Sequence, residues 1–245
     1  MSSVPTTYAS AMLNTLEVSE FFGPTLQGEG PHQGRPALFL RLGRCNLTCS
    51  WCDTPYTWDW ERYDIAEEVH EESYGDLMAW ARSHQGVTRR LVISGGEPMM
   101  QQHRWAPMAS ALKGEGWSVE VETNGTIAPR AGASEAVSLW SVSPKIANSG
   151  VVASKRFKHD ALRTLALLRS VFKFVVAEPS DLEEVEALVA LLGPVESERV
   201  WLMPEGRTAR EVLARLPWVF DACSERGWSL APRLHVLAYD DERGR

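Results

Sequence analysis

An incomplete α/β barrel is the architecture this sequence predicts, and three observations carry the prediction. Short apolar runs alternate with helical stretches through most of the chain, and that alternation means βαβ units on a parallel sheet. About seven or eight strands would suffice for a closed barrel. The segment between Thr123 and Val137, however, is too short and too rich in Gly, Pro and Ala for a full crossover helix, so the barrel is expected to stay open. The chemically distinctive loops, finally, all follow strands: the cysteine loop after Leu42, then Gly95-Gly96-Glu97, Thr123-Asn124 and Ser143-Pro144-Lys145. In βα barrels the chemistry gathers at that end of the sheet.

The elements follow in order. Leu16 to Phe22 reads as a first strand ending at Gly23-Pro24, and Thr25-Leu26-Gln27-Gly28-Glu29-Gly30-Pro31 as a glycine-rich loop. These glycines precede a strand instead of opening a helix after one, so a dinucleotide fingerprint is rejected. The loop is either a plain connection or a backbone that approaches a ligand closely. Ala37 to Leu42 is a buried strand. Ile65 to His84 reads as one helix with a solvated acidic face, Glu67, Glu68, Glu71 and Glu72. Arg90–Ser94 and Trp117–Glu122 are strands flanking a helix from about Gln101 to Glu115. Val137–Val142 is the next strand, and a basic loop with Lys155, Arg156 and Lys158 leads to a helix near Ala161–Arg169. Then come a strand Val171–Val176, a helix Asp181–Leu192 opened by a Ser180 cap, and a strand Val200–Met203. A helix from about Thr208 to Arg226 and a last strand around Leu234–Leu237 close the series.

With 44% hydrophobic and 23% charged residues the chain is an ordinary globular protein, and its 245 residues, with no linker or repeat, read as a single domain 1–245. Lys+Arg 25 against Asp+Glu 32 leaves a net charge of −7, which argues against a nucleic-acid surface. No run approaches the length of a membrane helix, and Met1 to Ser10 lack the pattern of a leader. A cytoplasmic protein with reduced thiols is expected.

The chain is organised around Cys45, Cys49 and Cys52, at C-x3-C-x2-C spacing; the one other cysteine is Cys223. Three thiolates on one short loop can hold an iron–sulfur cubane and leave one iron open to a further ligand. A structural zinc would need a fourth ligand from Cys223 or a histidine. Three clustered cysteines cannot all pair as disulfides.

The cysteine loop, together with Gly95-Gly96-Glu97-Pro98, resembles the radical S-adenosylmethionine (SAM) superfamily, and the fold that resemblance implies is the partial βα barrel of that type. Within it, Thr25–Gly30, Arg41, Cys52-Asp53-Thr54, Glu122-Thr123-Asn124-Gly125 and Ser143-Pro144-Lys145 resemble the 7-carboxy-7-deazaguanine synthases, over about Leu16 to Lys145 and weakly on to the tail at Arg233–Arg245. The resemblance implies a carbon–nitrogen lyase that converts 6-carboxy-5,6,7,8-tetrahydropterin to 7-carboxy-7-deazaguanine with release of ammonia, as in queuosine and other 7-deazapurine biosynthesis. It implies SAM used catalytically, a 4Fe-4S cluster on Cys45, Cys49 and Cys52, and Mg²⁺ on Thr54. Trp51, Cys52, Asp53, Gly95, Gly96, Glu97, Asn124, Ser143, Pro144 and Lys145 would then line SAM, the missing Cβ of the glycine turn permitting close approach. Leu26, Gln27, Gly28, Glu29, Arg41 and Ser94 would meet the pterin. No further catalytic side chain is implied. A homodimer is, with an external one-electron reductant such as flavodoxin or ferredoxin. The alternatives are a glycyl-radical activating enzyme, which has a similar loop but a protein substrate, and a zinc-stabilised interaction protein.

Overall fold

The computed structural model describes residues 14–245; the stretch Met1 to Ser10, where no leader is expected, lies outside the described residues. Among the described residues nine strands form one sheet in the order β3-β1-β2-β4-β5-β6-β7-β8-β9. β1 (Thr15–Leu26) is antiparallel to β2 (Pro36–Leu42) and to the edge strand β3 (His70–Ser73). From β2 the sheet runs parallel through β4 (Arg90–Gly95), β5 (Ser118–Thr123), β6 (Leu139–Val142), β7 (Ser170–Val176), β8 (Val200–Pro204) and β9 (Ser229–Leu230). Among the described residues no pairing joins β9 back to β3, so the barrel is partial, as the sequence implied. The crossover between β5 and β6 contains only a six-residue helix, Ala131–Ala136.

Side chains alternate across each strand. One set faces the outer helices and makes the main core, with Trp105, Trp140, Phe172 and Phe174 fully buried. The other set faces the lumen, where Phe39 and Val92 pack with Phe22, whose ring stacks on Phe39 at 5.2 Å. Above this apolar floor the lumen-facing positions turn polar: Arg41, Ser94, Glu122, Ser143 and Lys173 all open onto one pocket.

Several elements differ from expectation. β1 continues through Gly23-Pro24 to Leu26 with a register shift between Phe22 and Thr25, because the irregularity is absorbed inside the pairing with β2. The single helix Ile65–His84 is in fact a turn of helix, Ile65–Glu68, the edge strand β3, and a helix Tyr74–Ser83 capped by Ser73. Glu71 and Glu72 therefore lie on a strand edge. Ser180 makes no side-chain cap; Asp181 instead accepts from the Ala177 and Glu178 amides. Thr208 and Glu211 form a capping box on helix Ala209–Arg226. The expected last strand is a helix, Leu234–Tyr239, which packs along Ala209–Arg226.

Candidate active site

The cysteine loop leaves the end of β2 and is pinned by backbone bonds from the Arg44 amide to the Thr57 carbonyl (2.7 Å) and from the Ser50 amide to the Ser149 carbonyl (3.0 Å). The glycine turn after β4 nests against its base. The Gly96 amide donates to the Leu42 carbonyl at 3.0 Å and the Glu97 amide to the Arg44 carbonyl at 2.8 Å. A Cβ on Gly96 would lie 2.1 Å from the Arg44 oxygen, and one on Gly95 2.2 Å from the Leu42 oxygen. The Cβ direction of Gly95 is thus filled by the end of β2 and that of Gly96 by the cysteine loop, while both residues still border the pocket. Glu97 also departs from expectation, since it lies outside the pocket wall. Its buried carboxylate accepts from the Met99 amide (2.9 Å), the Thr123 hydroxyl (2.8 Å) and the Asn124 amide (2.7 Å), and so ties the ends of β4 and β5 together. Burial pushes its pKa up in spite of those bonds. Pro144 likewise does not face the pocket.

The remaining expected residues do converge. Trp51, Cys52, Asp53, Gly95, Gly96, Asn124, Ser143 and Lys145 line the pocket's upper part, and Leu26, Gln27, Gly28, Glu29, Arg41 and Ser94 line the rest, with Cys45, Cys49 and Thr54 in the same wall. The Lys145 ammonium donates to the Ser143 hydroxyl (2.9 Å) and lies 5.3 Å from the Trp51 ring centre, while the Trp51 indole N–H donates to Asn148 Oδ1 (3.1 Å). The Ser94 hydroxyl is buried and has no partner among the described residues, a polar atom that calls for a ligand. Arg41 is partly committed: its Nε donates to Glu20 at 2.6 Å, while its terminal amino groups have no hydrogen-bond partner among the described residues. The Thr54 hydroxyl lies 3.7 Å from the Cys52 sulfur.

The glycine-rich loop enters from the opposite end of the lumen, since Leu26 pairs with Pro36 at the start of β2. Bonds from the Gln27 amide to the Arg35 carbonyl (2.8 Å) and the Gly34 amide to the Gln27 carbonyl (2.7 Å) pinch it. Gln27 Nε2 donates to Glu122 at 3.2 Å, and Lys173 is ion-paired with Glu29. A tail contributes the lid. Arg233, in the left-handed region at φ 57°, bonds Asp53 and the Gly206 carbonyl and stands 3.4 Å from Glu29, and the Leu234 amide donates to the Gly28 carbonyl at 3.0 Å. Gly28 is glycine because a Cβ there would meet the His235 ring at 2.1 Å. Glu122 stood in a quoted motif without a role, and Lys173, Arg233 and His235 were given none by sequence reasoning. Lys173 had a signal, a lone lysine between phenylalanines in an otherwise apolar strand. The tail carried only the weak family resemblance over Arg233–Arg245, which assigned no role to Arg233 or His235.

The donor set suits an iron–sulfur cluster. Cys45, Cys49 and Cys52 are free thiols in one pocket wall, and two N–H groups point at sulfur: Leu47 to Cys45 (3.4 Å) and Trp58 Nε1 to Cys52 (3.3 Å). Such bonds tune cluster thiolates. Cys223 lies apart and donates to the Ser229 carbonyl at 3.2 Å. Burial, with Glu97 nearby, pushes the Cys45 thiol up to about 12.

Residues 40–176 match the model of the radical SAM superfamily, and the chain belongs to that superfamily. The superfamily implies a 4Fe-4S cluster and SAM. A 7-carboxy-7-deazaguanine synthase of Pyrobaculum aerophilum is 37% identical over 231 residues, covering 94% of this chain and 97% of the relative. The synthase of Escherichia coli is 31% identical over 89% of this chain and 96% of its own. The crystal structure of QueE from Escherichia coli superposes with a TM-score of 0.67 at 28% identity, over 94% of this chain and 98% of that one. Streptococcus suis SuiB bound to S-adenosylmethionine, at 14% identity and TM-score 0.51, shares the fold alone. The chain belongs to the 7-carboxy-7-deazaguanine synthase family.

Proposed function

We propose that this chain, acting as a single radical SAM domain, converts 6-carboxy-5,6,7,8-tetrahydropterin to 7-carboxy-7-deazaguanine with release of ammonia. One observation carries the proposal: three free thiols share one pocket with the lumen's polar side chains Gln27, Glu29, Arg41, Ser94, Glu122 and Lys173. Cys45, Cys49 and Cys52 hold the cluster, and Trp51, Asp53, Asn124, Ser143 and Lys145 surround SAM. When bound, the pair supplies one-electron reductive chemistry, which belongs to the cofactor. The protein positions the substrate and excludes water. Gln27, Glu29 and the backbone of Gly28 meet the pterin ring, Ser94 donates its unpartnered hydroxyl, and the free end of the Arg41 fork takes the carboxylate.

Thr54 offers a hard oxygen for Mg²⁺ beside the substrate carboxylate. Thr54→Ala should keep the cluster spectrum yet abolish the rate increase on adding Mg²⁺; an unchanged magnesium response would refute that role. The active protein is a homodimer and draws its electron from an external carrier such as flavodoxin or ferredoxin.

The test is direct. Protein reconstituted anaerobically is incubated with SAM, dithionite and the 6-carboxytetrahydropterin deuterated at C6. The expected result is one ammonia per product, many products per SAM and deuterium appearing in SAM. Accumulation of 5′-deoxyadenosine one-for-one with product would refute catalytic use of SAM.

A further inference from the structure

Lys173 is the feature of this pocket that nothing above employs. It sits in the middle of β7, all seven residues of which are buried, and its ammonium reaches the lumen between Glu29 on the glycine-rich loop and Glu122 on β5. An isolated ammonium in such a place is strongly unfavourable, and a hydrophobic residue would fill the strand as well. We propose that Lys173 is a positioning residue that locks Glu29 as a fixed, ionised acceptor, and thereby selects a heterocycle presenting adjacent N–H donors, the 2-amino-4-oxopyrimidine edge of a pterin.

The geometry supports it from both sides. Glu29 Oε2 is taken by Lys173, while Oε1 has Arg233 at 3.4 Å and His235 at 3.9 Å, neither close enough to saturate it. Glu122 receives one bond, from Gln27 at 3.2 Å, and keeps its second oxygen free among the described residues. The pocket therefore presents two carboxylate oxygens to its occupant, with the cations of Lys173 and Arg233 gathered around Glu29. The two acids shift in opposite directions. Burial raises both, but Lys173, Arg233 and His235 bring Glu29 well below the usual carboxylate range, whereas Glu122, next to Glu29, stays raised. An N3–H and 2-amino pair satisfies such acceptors; a ring carbonyl at the same place meets their lone pairs.

The inference rests on the pterin activity proposed above, and the experiment separates the two. Binding of 6-carboxypterin and of 6-carboxylumazine, which has a carbonyl in place of the 2-amino group, is measured by tryptophan quenching on the reconstituted enzyme with SAM. Turnover of the tetrahydropterin is followed in parallel. Wild type should prefer the pterin by roughly 30-fold or more, the usual size of a charge-assisted pair. Lys173→Met should cut that preference to under about 5-fold and raise KM far more than it lowers kcat; Lys173→Arg should recover part of both. If Lys173→Met does not fold, the double variant Lys173→Met/Glu29→Gln, which removes both charges together, is compared with Glu29→Gln alone. Equal preference in those two supports the inference, and a higher preference in the double variant overturns it. An undiminished preference in a folded Lys173→Met overturns it as well. Wild type that turns over no tetrahydropterin would defeat the functional proposal instead.

Discussion

Glu97 shows how a side chain inside a ligand-binding motif can serve the protein itself. It stands in the glycine turn, yet its three hydrogen bonds all serve the protein, from Met99, Thr123 and Asn124. Glu97→Gln turns one acceptor into a donor facing N–H and O–H donors. Unfolding free energy should fall by about 2–3 kcal/mol, with SAM affinity changed only as far as the β4–β5 junction loosens. Urea denaturation of the metal-free protein, beside SAM binding to the reconstituted one, separates the two effects; intact stability would contradict the tether.

The Glu29–Lys173 pair makes a prediction in pH. Glu29 titrates below its ordinary 4.5 in the folded state, so its contribution is present above that value and is lost as pH falls toward the folded one. Lys173 titrates above its ordinary 10.5, so its share is complete below 10.5 and lost on raising pH beyond the folded value. The window of full stabilisation therefore runs from 4.5 to 10.5. Below it, Glu29 alone should remove about 1.4 kcal/mol per pH unit. The double variant Glu29→Gln/Lys173→Met should lose stability less steeply between pH 4.5 and 3, as read by urea midpoints; parallel slopes would contradict the assignment.

At the scale of elements, the glycine turn and the cysteine loop are one unit. Because the missing Gly96 Cβ is replaced by the Arg44 carbonyl at 2.1 Å, Gly96→Ala must displace backbone, which cannot swing aside as a side chain can. The expected outcome is a loss of most cluster absorbance on reconstitution, before any question of SAM affinity arises. Full cluster content with weakened SAM binding would instead mean that the glycine serves the ligand. What could be read in the sequence at this scale follows from periodicity. The parallel strands β2, β4, β7 and β8 are mostly apolar runs with sharp ends, β5 alternates valine with polar residues, and their loops carry the recognisable residues. Three other elements carry no such pattern. β3 is His-Glu-Glu-Ser, polar because it is an exposed edge, and only its pairing with β1 makes it a strand. β1 runs past Gly23-Pro24 because β2 holds the far side. Leu234–Tyr239 has a strand-like composition but docks by one face on another helix.

Across the whole molecule, the open side of the barrel is where the tail crosses, and it links parts that are remote in sequence. Arg233 touches Glu29 on the loop entering from below and Asp53 beside the last cysteine above. Further along, Arg243 stacks 3.6 Å from the Tyr56 ring centre and pairs with Glu68 at 2.8 Å, and Arg245 reaches the pocket wall. Loop-to-tail contacts of this length leave no local trace in a sequence, which is why the lower half of the pocket was only partly legible. The two halves should be separable by truncation. Removing residues 233–245 takes away the cation that bridges Glu29 and the exposed Asp53, and the loss should fall mostly at the glycine-rich loop. Cys45, Cys49 and Cys52 keep their own anchors at Thr57 and Ser149, so the truncated chain should still assemble the cluster and cleave SAM slowly without substrate. Pterin binding should fall by at least about 100-fold. Arg233→Met should give the same ordering of effects at smaller size. Hydrogen exchange gives the structural readout, with faster exchange at Gln27 and Gly34 and none of that change at Ser50. Truncation that leaves pterin affinity intact, or that destroys the cluster first, would show that the tail does not close the substrate end of the lumen.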